Sequence, residues 1–215
     1  MQQMWTDIDH YIDSHLIPED PNLQFALENT ANQGFPDHLA VAPNQGMLLQ
    51  MLIQMNQCKR VLELGTFAAY STVWLARTLP KDGYLLTIEG RDTHAALAQQ
   101  NIDHAKFEVP VELKVGRAAD ILREIDPTTF EPFDFIFIDA DKQSYPEYLE
   151  LTLNLSHSGT ILVLDNVIRA GDILDENNKK PSIEGIRQTF EALQNHPRIL
   201  SCTALQTVGS KGHDG

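Results

Sequence analysis

The sequence predicts an α/β protein with a doubly wound, mostly parallel sheet and a helical segment in front of it. Three observations carry that reading. From Arg60 onward, short apolar runs alternate with amphipathic stretches of helical length. Polar residues, mostly acidic, stand at the ends of successive runs. The first 57 residues, by contrast, show only helical periodicity. With 215 residues and neither repeats nor linkers, the chain reads as one domain, with a helical cap over 1–57 and an α/β core over 58–215.

The elements follow in order. Asp7 to Ile17 is a short amphipathic helix closed by Pro18, Pro21 to Gly34 a second, and Asn44 to Gln57 a third. Val61 to Leu64 is a first strand, followed by Gly65 and a helix from Ser71 to Leu79 that Pro80 closes. Tyr84 to Ile88 is a second strand and Thr93 to Lys106 a helix. Val111 to Val115 is a third strand and Ala119 to Ile125 a short helix. Phe133 to Ile138 is the most apolar run, as expected of a strand covered on both faces. Helix Tyr145 to Ser156, strand Thr160 to Leu164, helix Ile183 to Gln194 and a strand over Ile199 to Val208 complete the series.

Composition narrows the function. Sixteen basic against thirty acidic residues give a formal net charge of −14, which offers no footprint for phosphates and argues against nucleic acid. The same charge opposes adsorption to an anionic membrane surface, and no apolar run approaches the roughly 20 residues that span a bilayer. The start of the chain lacks the pattern of a signal peptide, and two cysteines, Cys58 and Cys202, make no disulfide framework. A cytoplasmic protein is expected.

Ligands of such sheets bind beyond the carboxyl ends of the strands. Residues there are Glu63, Gly65 and Thr66, then Glu89, Gly116, the group Asp139, Asp141 and Lys142, and finally Asp165 with Asn166. The turn after the first strand places Phe67 and Tyr70 where a dinucleotide fingerprint needs its second and third glycines, which crowds a pyrophosphate. No P-loop lysine follows Gly65. S-adenosylmethionine carries no phosphate, and an acidic pocket suits its sulfonium. Glu89 is placed for a ribose diol, a feature shared with NAD-binding sheets.

If the strands ending at Asp139 and Asp165 are neighbours, two carboxylates and the Asn166 amide oxygen can converge. An all-oxygen set with room for water suits Mg²⁺, with Mn²⁺ or Ca²⁺ as alternatives. The eight histidines show no metal spacing and read as surface or capping residues. Taken singly, Asp141 could cap a helix and Asp165-Asn166 could form an Asx turn. Lys142 beside a metal-bound phenol could serve as general base.

These motifs resemble the cation-dependent O-methyltransferases, the family of caffeoyl-CoA and catechol O-methyltransferases with the Rossmann-like class I methyltransferase fold. The likeness lies in Val61 to Ser71, in Phe135 to Lys142 followed by Tyr145, and in Leu164-Asp165-Asn166-Val167, and it runs from about Ala42 to Gly209. It implies Asp139, Asp165 and Asn166 as metal ligands and Lys142 as general base, with Asp139 sharing the catalytic site. It implies a donor site of Glu63, Gly65, Thr66, Ser71, Glu89, Ala118, Asp139 and Asp141, with Val41 close by. A homodimer and a small catechol-like acceptor are implied as well. The expected reaction lowers the pKa of one of two vicinal hydroxyls on the metal and passes its methyl from S-adenosylmethionine.

The chain departs from the family pattern in four places. Ala68-Ala69 replaces Thr-Gly, Arg117 follows Gly116, and Arg169 stands where many members carry Trp. Arg169 near the acceptor would favour one bearing a carboxylate. The family's last antiparallel strand should begin where this chain reaches His213-Asp214-Gly215, so that strand is expected to be absent and the sheet's last pairing incomplete or completed by a partner. The rival readings are an NAD-linked oxidoreductase on a similar sheet and a non-catalytic protein that binds S-adenosylmethionine.

Overall fold

The computed structural model describes residues 1–215. Three helices come first: α1 (Gln2–Leu16), α2 (Pro21–Asn32) and α3 (Pro43–Met55). Asp20 caps α2 by accepting from the amides of Asn22 and Leu23, and proline at the start of α2 and α3 occupies a position whose N–H would lack a partner anyway. The core alternates as predicted: β1 (Arg60–Leu64), α4 (Tyr70–Ala76), β2 (Tyr84–Glu89), α5 (Asp92–Ala105), β3 (Val111–Val115), α6 (Ala118–Glu124), β4 (Phe133–Ile138), α7 (Tyr145–Asn154), β5 (Ser156–Leu164) and α8 (Pro181–Gln194). A short 3-10 turn over Arg169–Leu174 lies between the last two.

The five strands form one parallel sheet in the order β3-β2-β1-β4-β5. The order reverses between β1 and β4, so the crevice that such sheets offer to ligands opens there. Strand alternation feeds two cores. Phe135 and Phe137 of β4 pack with Leu49, Ile53 and Trp74 on one face, while Ile136 and Ile138 pack with Tyr145, Tyr148 and Ile186 on the other. Each of these side chains contributes roughly 1.5–3 kcal/mol by leaving water. Gly46 lets α3 lie directly on Trp74, because a Cβ there would stand 2.5 Å from the indole.

One expectation at the C-terminal side needs correction. The strand expected over Ile199 to Val208 is not one: residues 200–206 are irregular, and only β6 (Thr207–Gly209) pairs, antiparallel, with β7 (Gly212–Asp214). Alternating apolar residues suggested a strand, but Leu200 and Leu205 remain exposed and find no face to pack on. The parallel sheet has β5 at its edge, and β6 and β7 form a separate sheet.

The hairpin is nevertheless firmly seated. On one side Ser210 N donates to the buried Asp9 of α1 (2.6 Å), and Gln2 Nε2 donates to Gly209 O (2.9 Å). On the other, Ile168 N and Arg169 N donate to Asp214 Oδ1 (3.0 and 2.9 Å), and Val167 N donates to Gly215 O (2.9 Å). No helix is long and apolar enough to cross a membrane.

Candidate active site

The strand ends singled out in the sequence line up along one edge of the sheet. Gly116 N donates to Glu89 O, Gly65 N to Ile88 O, Asp139 N to Leu64 O and Asp165 N to Ile138 O, all within 2.8–3.0 Å. The condition set for a shared site, that β4 and β5 be neighbours, is met. Gly65 (φ +95°) is required here twice over: a Cβ would stand 2.1 Å from the Asp139 carbonyl oxygen. Tyr145 Oη lies 2.8 Å from Ile138 O and 2.9 Å from Asp165 O, tying the ends of β4 and β5 together.

Asp139, Lys142 and Asp165 converge at this point. Lys142 Nζ donates to Asp139 Oδ1 at 2.6 Å and lies 5.0 Å over the Tyr145 ring. Asp165 is buried, and burial first, then the Asp139 charge, push its carboxyl up to about 6; Gln45 of α3 and Lys142 oppose the rise. Asn166 follows in the left-handed region (φ 57°), which asparagine tolerates better than most residues, and its N–H donates to Asp165 Oδ1 (2.7 Å). Two carboxylates, with the Asn166 amide next in sequence, are oxygen donors of the kind Mg²⁺ takes. No cluster of three His, Cys, Asp or Glu side chains competes with it elsewhere.

The other half of the crevice is built on Glu89. Its carboxylate accepts from Phe67 N (2.8 Å) and Arg91 N (3.0 Å), which fixes its orientation. His94, expected as a surface residue, instead stands 3.5 Å from Glu89 with its ring against Phe35 and Phe67. The glycine turn carries two further left-handed residues, Phe67 (φ 48°) and Ala69 (φ 59°). Thr66 and Ser71 flank this turn and are buried, as are Val41 and Ala118 close to their helix starts.

Glu63 lies beneath the turn, fully buried. It accepts from Ser71 Oγ (2.6 Å), Thr72 Oγ1 (2.5 Å) and Thr87 Oγ1 (2.6 Å), and Thr87 in turn pairs with Thr66 (2.6 Å). Burial raises its carboxyl to about 7 against these hydrogen bonds. Asp141 accepts from Ser144 and Tyr148 (both 2.5 Å), and Arg117 pairs with Asp120 and Glu147. Gln45, Thr72, Thr87 and the role of His94 escaped the sequence reading, because nothing in their spacing marks a tertiary partner.

The comparisons with known proteins agree with this layout. The O-methyltransferase family model matches residues 14–209. A catechol O-methyltransferase of Niastella koreensis is 47% identical over 99% of this chain and 96% of its own length. An O-methyltransferase from Bacillus cereus, solved in complex with SAH, superposes with a TM-score of 0.95 at 45% identity, covering 100% of this chain and 96% of that one. The O-methyltransferase TomG of Streptomyces achromogenes, involved in tomaymycin synthesis and solved in complex with SAM, gives a TM-score of 0.90 at 40% identity, covering 99% and 95%. Motifs, strand-end geometry and a match over nearly the whole chain point one way, and the protein belongs to the O-methyltransferase family.

Proposed function

We propose that this protein transfers the methyl group of S-adenosylmethionine to one hydroxyl of a catechol-like small molecule, with a divalent cation held by Asp139, Asp165 and Asn166. The observation that carries the reading is the convergence of Asp139, Lys142 and Asp165 at the strand ends next to the turn served by Glu89. The donor set fits Mg²⁺, and a cation bound there would supply Lewis acidity toward two vicinal oxygens. The catechol O-methyltransferase of Niastella koreensis supports the acceptor class, and the relatives solved with SAH and SAM support the donor.

The residues take distinct parts in this reading. Glu89, held by two backbone amides, accepts from the ribose hydroxyls. Gly65, Thr66 and Ser71 shape the wall along the donor, Val41 and Ala118 border it, and Glu63 braces the turn from below. Asp141 holds the following segment through Ser144 and Tyr148. Lys142, oriented by Asp139, serves as the base for the hydroxyl proton as the new O–C bond forms and the S–C bond breaks, releasing S-adenosylhomocysteine. Phe67 and Tyr70 crowd the place of a pyrophosphate and weigh against an NAD-linked reaction.

The working form in this reading is a homodimer; exposed Met4, Ile8 and Tyr11 on α1 with Leu48, Met51 and Met55 on α3 support an interface there. Two free cysteines suit a reducing compartment. The test is a methylation assay on a panel of catechols with mass-spectrometric readout, with Mg²⁺ or with EDTA. Turnover that EDTA abolishes and Mg²⁺ restores is expected. Full turnover in EDTA removes the metal from the reading, and no product from any catechol removes the acceptor class.

A further inference from the structure

The loop that leaves the sheet at Asp165 reaches α8 at Pro181. It contains three successive left-handed residues, Arg169 (φ 53°), Ala170 (φ 54°) and Gly171 (φ 91°), and the first two hold that backbone only because their surroundings impose it. Two charged groups do so. At the entrance, Asp214 Oδ1 accepts from Ile168 N and Arg169 N. At the exit, the half-buried Arg187 of α8 binds the carbonyls of the loop. Its Nε donates to Ile173 O (3.0 Å), its Nη1 to Asn178 O (2.9 Å), and its Nη2 to Asp172 O (3.3 Å) and Asp175 O. Nη1 also donates to Glu184 Oε1 (2.9 Å), so all five N–H groups of the guanidinium are engaged, four of them on the main chain of one loop.

The same helix seats the turn that carries Lys142. Gly185, two residues before Arg187, lies so close to that turn that a Cβ would stand 2.3 Å from Lys142 O. The first turns of α8 therefore hold the lysine's segment with one residue and the loop after Asp165-Asn166 with another. Little else holds that loop: no residue from 169 to 180 is buried, and Leu174 is 82% exposed. Such a segment opens easily when its polar anchors are removed. It begins at the carboxyl end of β5, on the half of the crevice away from Glu89.

We propose that Arg187 is a positioning residue for the acceptor: by clamping residues 172–178 it fixes the loop that closes the acceptor half of the crevice, and it leaves the donor half untouched. The inference rests on the acceptor reading above, in which the acceptor's oxygens meet the cation at Asp139, Asp165 and Asn166, and it adds a residue outside that site. Charge-assisted bonds to four carbonyls demand the planar fork of a guanidinium, which an ammonium does not reproduce.

The experiment measures kcat and acceptor KM for catechol and 3,4-dihydroxybenzoate, at saturating S-adenosylmethionine and Mg²⁺, together with amide hydrogen exchange over residues 169–180. It uses the unaltered protein, Arg187→Met, Arg187→Lys and Arg198→Met. Arg198 also binds main chain, at Leu153 O, but just before β5 begins, at the opposite edge of the sheet, so it controls for a general loss of stability. Arg187→Met should speed exchange in the loop but not in β1 or β4. A loop in place only about a tenth of the time raises apparent acceptor KM about tenfold, and kcat should fall less than about threefold. S-adenosylhomocysteine affinity by calorimetry should stay within about twofold. Arg187→Lys should recover less than about half of the loss in acceptor KM, and it carries the same comparison where Arg187→Met is insoluble. Arg198→Met should leave acceptor KM unchanged even with a lower melting temperature. Faster loop exchange with unchanged acceptor KM, equal losses in donor and acceptor binding, or full recovery in Arg187→Lys each overturns the inference while leaving the acceptor reading in place. If the unaltered protein methylates neither compound, the acceptor reading fails and this inference with it.

Discussion

Lys142 Nζ and Asp139 Oδ1 stand 2.6 Å apart across the short turn that follows β4, and this pair links the chemistry of the site to its sheet. Asp139 is fixed by its backbone bond to Leu64, so the lysine it holds is aimed by β1 and β4 together. Lys142→Met should lower kcat about a hundredfold, the usual scale for removing a positioned general base. S-adenosylhomocysteine affinity, measured by calorimetry, should stay within about twofold of the unaltered protein. A variant that retains full kcat assigns the proton to solvent.

Asp165→Ala separates the cation from the donor. The carboxylate lies next to Asp139, and its loss leaves one acid and one amide for the ion. Activity with Mg²⁺ should fall below detection while donor binding persists, and calorimetric titration with Mg²⁺ should lose its saturable heat. Retained Mg²⁺-dependent turnover would assign the ion to other ligands.

Glu89→Ala probes the opposite end of the crevice. Both carboxylate oxygens are oriented by backbone amides, and the variant removes that acceptor pair from the ribose hydroxyls. Donor KM should rise about tenfold or more, with acceptor KM nearly unchanged, since hydrogen bonds to a charged group are worth roughly 1.5–3 kcal/mol. An effect on the acceptor alone would place the ribose elsewhere.

Gly65→Ala should be among the most damaging single substitutions. The new Cβ would stand 2.1 Å from the Asp139 carbonyl oxygen, which is backbone held at the end of β4. Left-handed φ adds about 1–3 kcal/mol of strain to an overpacking cost of similar size. Urea denaturation should show a loss of several kcal/mol or no soluble protein. A near-neutral result would mean that β1 and β4 can separate at their ends.

Much of this arrangement was legible in the sequence, for reasons that differ by residue. The parallel sheet followed from period and from helix-length spacers, and β4 announced its burial by its run of apolar residues. Asp139 and Asp165 could be placed together because parallel neighbouring strands end on one edge, a rule of topology that needs no coordinates. Gln45 and His94 could not be placed, since each reaches the site from another element through a tertiary contact. The β6–β7 hairpin was hidden for a further reason: it is held by Asp9 and Asp214, and the segment before it reads as a strand although no sheet edge receives it.

Glu63 gives a prediction about pH. Burial raises its folded-state carboxyl to about 7, against 4.5 for the free group, so the folded protein binds this proton more tightly than the unfolded chain. Stability from this group is therefore fully present below pH 4.5 and is lost as pH rises toward 7, the reverse of a salt-bridged carboxylate. Three hydroxyl donors limit the loss without removing it, because they favour the ionised form. Glu63→Gln imitates the protonated side chain and cannot titrate. The melting temperature of the unaltered protein should drop relative to Glu63→Gln as pH is raised from about 4.5 to about 7. Above that window the difference should level off. Parallel pH profiles for the two proteins would mean that Glu63 ionises in the folded state as easily as in the unfolded one, and the brace beneath the glycine turn would then be an ionised carboxylate throughout.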